Sequence, residues 1–266
     1  MIEWKDKNNL TINGFPAFAM SDDLPLSVVK QHNDQLFIQK TKSMLDDHAK
    51  HAKHREIKNI LEIGLFKGGS AAYFQAMFQA SKLVGFDINP EPLTVLERYI
   101  KENSLQEKII MHYGVDQSDQ LAIAKILTEA FEPGAIDFII DDASHFLRET
   151  RSTFNTCFPW LQPGGLYIIE DWRWGHWMPD TPSHGGKFNV NLLKKVFEKQ
   201  PPMTLLGLQL AMVCGTRPDV ISEVAFDFHS ITVKRGHAAL DTNNFDIRNY
   251  YAILQTEFIN ESDKLW

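Results

Sequence analysis

The chain has 266 residues, 44% hydrophobic and 23% charged, with a net charge of −7. That length suits one large α/β domain with modest additions, and the acidic balance excludes broad nucleic-acid binding, a local basic groove apart. Its two cysteines, Cys157 and Cys214, exclude a disulfide framework and a thiolate metal site, no apolar run is long enough to span a membrane, and the charged opening Met1-Ile-Glu-Trp-Lys-Asp has no signal-peptide core, so a cytoplasmic protein is expected.

Residues 1 to about 25 read as an irregular lead-in whose aromatics, Trp4, Phe15 and Phe18, pack on the domain. From Leu26 to Arg55 the residues Val29, Leu36, Phe37, Met44 and Leu45 fall on one face, which predicts a helix. His48, His51 and His54 recur on it at helical spacing beside Lys50, Lys53 and Arg55, the pattern of a solvated basic face.

From Asn59 onward strands and helices alternate, which predicts a doubly wound, mostly parallel sheet. Ile60 to Ile63 is a buried strand that carries Glu62 and ends at Gly64. Gly68 and Gly69 let the chain turn before Ser70 and the helix from Ala71 to Ala80. Strand, glycine loop and helix N-terminus together make a site for a polar ligand. The next apolar run, Lys82 to Phe86, ends in Asp87, an acid suited to the two hydroxyls of a ribose. NAD and S-adenosylmethionine both fit that pairing. Leu65 and Phe66 stand where a dinucleotide loop keeps its backbone bare for a pyrophosphate, and no Tyr-x-x-x-Lys occurs.

Pro92 to Asn103 is a predicted helix, Lys108 to Tyr113 a third strand, and Leu121 to Ala130 another helix. Between them Asp116, Ser118 and Asp119 are candidate helix caps. Ile136 to Ile140 is a fourth strand that delivers Asp141-Asp142-Ala143-Ser144-His145. Phe146 to Pro159 is a helix, Gln162-Pro-Gly-Gly a turn, and Leu166 to Ile169 the fifth strand, which ends in Glu170-Asp171 before Trp172-Arg-Trp-Gly-His-Trp177. Beyond Pro182, Asn189 to Lys199 reads as helix and Met203 to Cys214 is ambiguous. Glu223 to Lys234 supplies closing strands, and Asp246 to Ile259 a final helix suited to dimer contact.

Carboxylates repel, so several at neighbouring strand ends need a cation. Asp142, Glu170 and Asp171 offer only oxygen, which suits magnesium, manganese or calcium over zinc. Such an ion would fix an acceptor hydroxyl, and His145, three residues past Asp142, is spaced to take its proton. Asp141 is assigned to cofactor or to structure. Trp172, Trp174, His176 and Trp177 are candidates for the acceptor, whose flat ring or sugar face the indoles could cover.

The loop Glu62-x-Gly-x-x-x-Gly-Gly-Ser70 resembles the first motif of class I S-adenosylmethionine-dependent methyltransferases. Asp142-x-x-His145, Phe158-x-x-Leu-x-Pro-Gly-Gly and Ile169-Glu-Asp171 are similar to the metal-dependent sugar O-methyltransferases of macrolide biosynthesis, to rhamnosyl O-methyltransferases and to cephalosporin hydroxylase-like proteins. The resemblance implies an α/β fold with a doubly wound, seven-stranded, mostly parallel, Rossmann-like sheet and an N-terminal helical extension. It implies a lead-in and helix at 1–56, a methyltransferase domain at 57–236 and a helical C-terminal extension at 237–266. S-adenosylmethionine would meet Glu62, Gly64, Gly68, Gly69, Ser70, Asp87 and Asp141, with Asp116 and Gln117 bordering the adenine. Asp142, Glu170 and Asp171 would hold magnesium, and His145 would be the base. The implied activity is O-methylation of a small hydroxylated acceptor, a sugar of a glycosylated natural product. Catechol methylation on the same fold and a non-catalytic cofactor-binding protein are the alternatives.

Overall fold

The computed structural model describes residues 1–21, 34–51, 55–173 and 200–252. They form two compact units, one of residues 1–116 and one from Gln117 on.

The first unit opens with strands where the sequence reading had an irregular lead-in. β1 (Ile2–Trp4), β2 (Asn9–Ile12), β3 (Phe15–Met20) and β4 (Leu36–Thr41) form a four-stranded sheet in that order. The first three are antiparallel, and β4 joins parallel to β3. Asp6 closes the first turn by accepting the amides of Asn8 and Asn9. Asn13 and Gly14, at φ 51° and 80°, form the two-residue turn between β2 and β3, the left-handed pair such hairpins require.

The expected helix is confined, among the described residues, to α1 (Lys42–His51), because Leu36 and Phe37 lie in β4. His48 is no part of a solvated face: it is buried, its ring 5.7 Å from that of Phe74. His54 lies outside the described residues.

β5 (Asn59–Ile63), α2 (Gly69–Phe78), β6 (Lys82–Asp87), α3 (Thr94–Glu102) and β7 (Ile109–Tyr113) follow, with the strands parallel. The second unit carries α4 (Gln120–Ala130), β8 (Ile136–Asp141), α5 (Leu147–Cys157), β9 (Leu161–Glu170), α6 (Thr204–Thr216), β10 (Ile221–Phe226) and β11 (Ser230–Arg235). The large sheet has the strand order β10-β11-β9-β8-β5-β6-β7. β8 and β9 are parallel, and β11 is antiparallel to both β9 and β10. This is the seven-stranded, mostly parallel sheet expected.

The expected turn at Gln162-Pro-Gly-Gly is absorbed into β9 as a register shift against β8. The ambiguous stretch Met203 to Cys214 is helical from Thr204 on, within α6, with Met203 as its N-cap. The final helix is a 3₁₀ turn, Ile247–Tyr250, after which the chain is extended at Tyr251; its expected remainder, like Asn189 to Lys199, lies outside the described residues. Among the described residues no helix is long and apolar enough to cross a membrane.

β8 is buried along its whole length, as strands of parallel sheets are. Beneath it Phe154 stacks on Phe158, with centroids 4.6 Å apart, and Tyr167 lies 4.9 Å from Phe154. Cys157 is fully buried beside them, and burial holds its thiol well above the usual range, so it is core.

Gly69 begins α2, and its place is set by packing. A Cβ there would meet the carbonyl carbon of Phe37 at 2.5 Å and lie closer still to its oxygen. Backbone cannot yield as a flexible side chain can, and overpacking of this kind costs about 1–3 kcal/mol or more. Gly69→Ala is expected to lower the thermal midpoint by at least several degrees, read by circular dichroism, whereas Gly215→Ala, which meets open space, shifts it little.

Candidate active site

In the first unit the candidate residues gather where β5 and β6 end. Glu62 is fully buried in β5. Gly64 and Gly68 have φ of 84° and 75°, and Phe66 between them has φ 50°. The loop is closed by Gly68 N–H donating to Leu65 O at 2.7 Å. Asp87 shapes it from outside. Its Oδ2 accepts the amides of Leu65 and Phe66 at 2.7 and 3.0 Å, and its Oδ1 accepts that of Asn89 at 2.8 Å. A carboxylate has about four acceptor directions, so one remains beyond the three amides. Ser70 is buried in the first turn of α2. Gly69 is set with its Cβ direction against Phe37 backbone, so packing alone already requires a glycine there. Asp116 is exposed, and the cap of α4 is Asp119, which accepts Ala122 N–H at 3.0 Å.

In the second unit Gln117, expected to border the adenine, is tied into the core. Its side-chain amide is buried and hydrogen-bonded within the protein. Its Oε1 accepts Ser144 N–H at 2.8 Å, and its Nε2 donates to Thr153 Oγ1 at 3.1 Å and Asp141 Oδ1 at 3.3 Å. Asp141 is buried too, with Tyr167 Oη donating to its Oδ2 at 3.0 Å. Burial pushes its carboxyl up to about 7, against the pull of the Tyr167 hydrogen bond. Asp141 thus supports the turn from inside. Tyr167 and Thr153 escaped the sequence reading; the clue was a polar atom on an otherwise apolar core position.

The turn that Gln117 and Asp141 hold presents Asp142 and His145. His145 Nε2 lies 3.9 Å from Asp142 Oδ1 and 3.9 Å from Asp171 Oδ2. One ligand atom from each of the three falls within 4.8 Å of the others. His145 and Asp171 both have left-handed backbones, φ 58° and 53°, a conformation that costs non-glycine residues energy and collects at functional sites. Asp171 N–H donates to His229 O at 2.9 Å, which fixes it past the end of β9. Glu170, the last residue of β9, is buried opposite Ser230 and stands apart from the three-residue cluster. The indole N–H of Trp172 donates to Asp227 O at 3.0 Å, and its ring lies against Phe226. Trp174, His176 and Trp177 lie outside the described residues.

The strand order, the glycine turn after β5, the acid ending β6 and the antiparallel β11 define a class I methyltransferase fold. Residues 61–172 match the family model described as a methyltransferase domain. Over 148 residues, 53% of this chain and 33% of the relative, the sequence is 30% identical to demethylmacrocin O-methyltransferase of Streptomyces fradiae. It is 29% identical over 149 residues to mycinamicin VI 2''-O-methyltransferase of Micromonospora griseorubida, again 53% and 33%. Among solved structures it is similar to MycE methyltransferase from the mycinamycin biosynthetic pathway in complex with Mg, SAH and mycinamycin VI. That match has 25% identity and a TM-score of 0.51, and covers 73% of this chain and 49% of that one. The chain spans about a third of the length of the curated relatives it matches.

Gln117 links three groups, so its removal leaves buried partners unsatisfied at about 1–3 kcal/mol each. Gln117→Ala is expected to cost roughly 2–4 kcal/mol in urea unfolding. A loss below 1 kcal/mol would show that the 141–145 turn stands without it.

Proposed function

We propose that this chain is an S-adenosylmethionine-dependent, magnesium-assisted O-methyltransferase acting on a hydroxyl of a small molecule, a sugar of a glycosylated natural product. The observation that carries the reading is the convergence of Asp142, His145 and Asp171 on one point at the strand ends. The names of the relatives, sugar O-methyltransferases of antibiotic biosynthesis among them, support it.

The residues fit an ion. Asp142 and Asp171 bring one carboxylate oxygen each within 4.8 Å of the other, near the spacing of opposite ligands of a hard cation, about 4.2 Å for magnesium and up to about 5 Å for calcium. Asp142 and Asp171 would hold it, with Glu170 as the third acid if its side chain turns toward them; manganese or calcium could take magnesium's place. When bound, such an ion lowers the pKa of a coordinated hydroxyl and fixes its oxygen. The glycine loop would cradle the donor, and Asp87 would use its remaining acceptor direction for a ribose hydroxyl. S-adenosylmethionine would supply an already activated methyl group. The acceptor oxygen is then the difficult half of the reaction, since an alcohol holds its proton at neutral pH. His145 Nε2, facing both carboxylates at 3.9 Å, would take that proton as the oxygen attacks, as a general base.

Calorimetric titration with Mn²⁺ is expected to show one site per chain, lost in the Asp142→Asn/Asp171→Asn double variant. Chelation should abolish turnover while leaving S-adenosylhomocysteine binding in place. Full activity in excess chelator, with the metal content measured as nil, would remove the ion from the reaction.

His145→Ala should slow single-turnover methylation by roughly 100- to 10,000-fold, the span typical of a positioned base. The informative comparison is His176→Ala at saturating magnesium. A fast His145 variant beside a slow His176 variant would reassign the base.

A further inference from the structure

Directly after Asp171 the chain meets the tip of the β10–β11 hairpin, and that tip carries an aromatic surface outside the core. Phe226 and Phe228 are 47% and 48% exposed, where large apolar side chains usually find cover. They are held firmly. Asp227 accepts the amides of His229 and Ser230, both at 2.7 Å, and the Ser230 hydroxyl at 3.0 Å, which rigidifies the turn. The Trp172 indole is tied to Asp227 O and packs edge-on against Phe226, centroids 5.7 Å apart. The Arg173 guanidinium lies over the Phe228 ring, 3.0 Å from its centroid. The strip is joined to the metal cluster by one backbone hydrogen bond, Asp171 N–H to His229 O at 2.9 Å.

We infer that Phe228, with Arg173 stacked on it, is the subsite for the aglycone of the acceptor. This deepens the methyltransferase reading and rests on it. The reacting hydroxyl must reach Asp142, His145 and Asp171, and the rest of a glycosylated molecule must then lie against something next to them. A fixed aromatic face takes a flat or apolar body at little entropic cost, and a cation stacked beside it suits a body that also carries oxygen. An exposed ring on a braced turn, beside a candidate catalytic centre, matches that task. The ligand class is therefore a sugar bearing an apolar, oxygenated aglycone, in preference to a free sugar.

The test uses two probes that share one sugar, 4-nitrophenyl and methyl α-L-rhamnopyranoside, with the complete protein, magnesium and S-adenosylmethionine. The readout is the ratio of kcat/KM for the aryl over the methyl glycoside. Phe228→Ala should lower this ratio at least tenfold, mainly through KM, and Phe228→Tyr should restore it. Affinity for S-adenosylhomocysteine in each variant, by calorimetry, reports that the fold is intact. An unchanged ratio in a folded Phe228→Ala protein overturns the subsite and leaves the methyltransferase reading standing. If the wild type turns over neither glycoside, that reading has failed for this sugar, and direct binding decides the subsite. Aryl glycoside binding that is lost with Phe228 supports it; equal binding by both proteins, or none by the wild type, overturns it.

Discussion

The side-chain amide of Gln117 can make only a few hydrogen bonds, and it spends them on the turn that bears Asp142 and His145. One oxygen takes the Ser144 amide, and one nitrogen serves Thr153 and Asp141. Gln117, Asp141 and Thr153 are buried, where a polar group left unpaired is expensive. The turn is therefore held by hydrogen bonds from core side chains, Gln117 foremost. That support is what allows His145 to sit in a left-handed conformation, φ 58°, where a relaxed chain would not leave it. Asp171, at φ 53°, is braced in turn by the carbonyl of His229. The facing groups of the cluster thus stand on strained backbone, and each strain is answered by a separate set of hydrogen bonds.

Asp87 does for the glycine loop what Gln117 does for the acidic turn. Three amides converge on its carboxylate from two stretches of chain. A residue that a ligand-centred reading assigns wholly to a ribose is first a structural anchor, with one acceptor direction left over. The two roles are compatible, since a charged acceptor held rigid by amides is better organised to meet a hydroxyl than a free one.

Much of this was legible in the sequence. The βα alternation from Asn59 on could be read because buried parallel strands are near-continuous apolar runs, and the turns between them carry Gly, Pro and Asp. The acids at the ends of β8 and β9 stood out for the same reason, as charge directly following core. The N-terminal sheet was not read. Its strands are short, one of them carries Pro16, and the apolar residues of β4 continue the spacing of α1 closely enough to imitate one helix. The Asn13-Gly14 pair was the missed clue. Glu170 looked like a ligand because of where it falls in the chain, and its burial in β9 came only with the fold. The packing roles of Gln117 and Gly69 were hidden for a common reason: a polar residue or a glycine near a ligand loop has the same sequence signature whether it serves the ligand, the packing or both.

Gly69 also bears on how this chain could be cut and recombined. The first residue of α2 lies against the main chain of Phe37 in β4. The loop that would hold a nucleoside is thus seated on a strand that lies wholly ahead of the methyltransferase match at 61–172. A chimera that took only the matched segment from this protein would lose the wall behind its own glycine loop. The unit to exchange between relatives starts with the N-terminal sheet, and a transplanted β4 would have to bring a backbone that closes on a residue with no side chain. Recombination breakpoints placed between Thr41 and Asn59 should therefore be tolerated only when both parents agree on that contact.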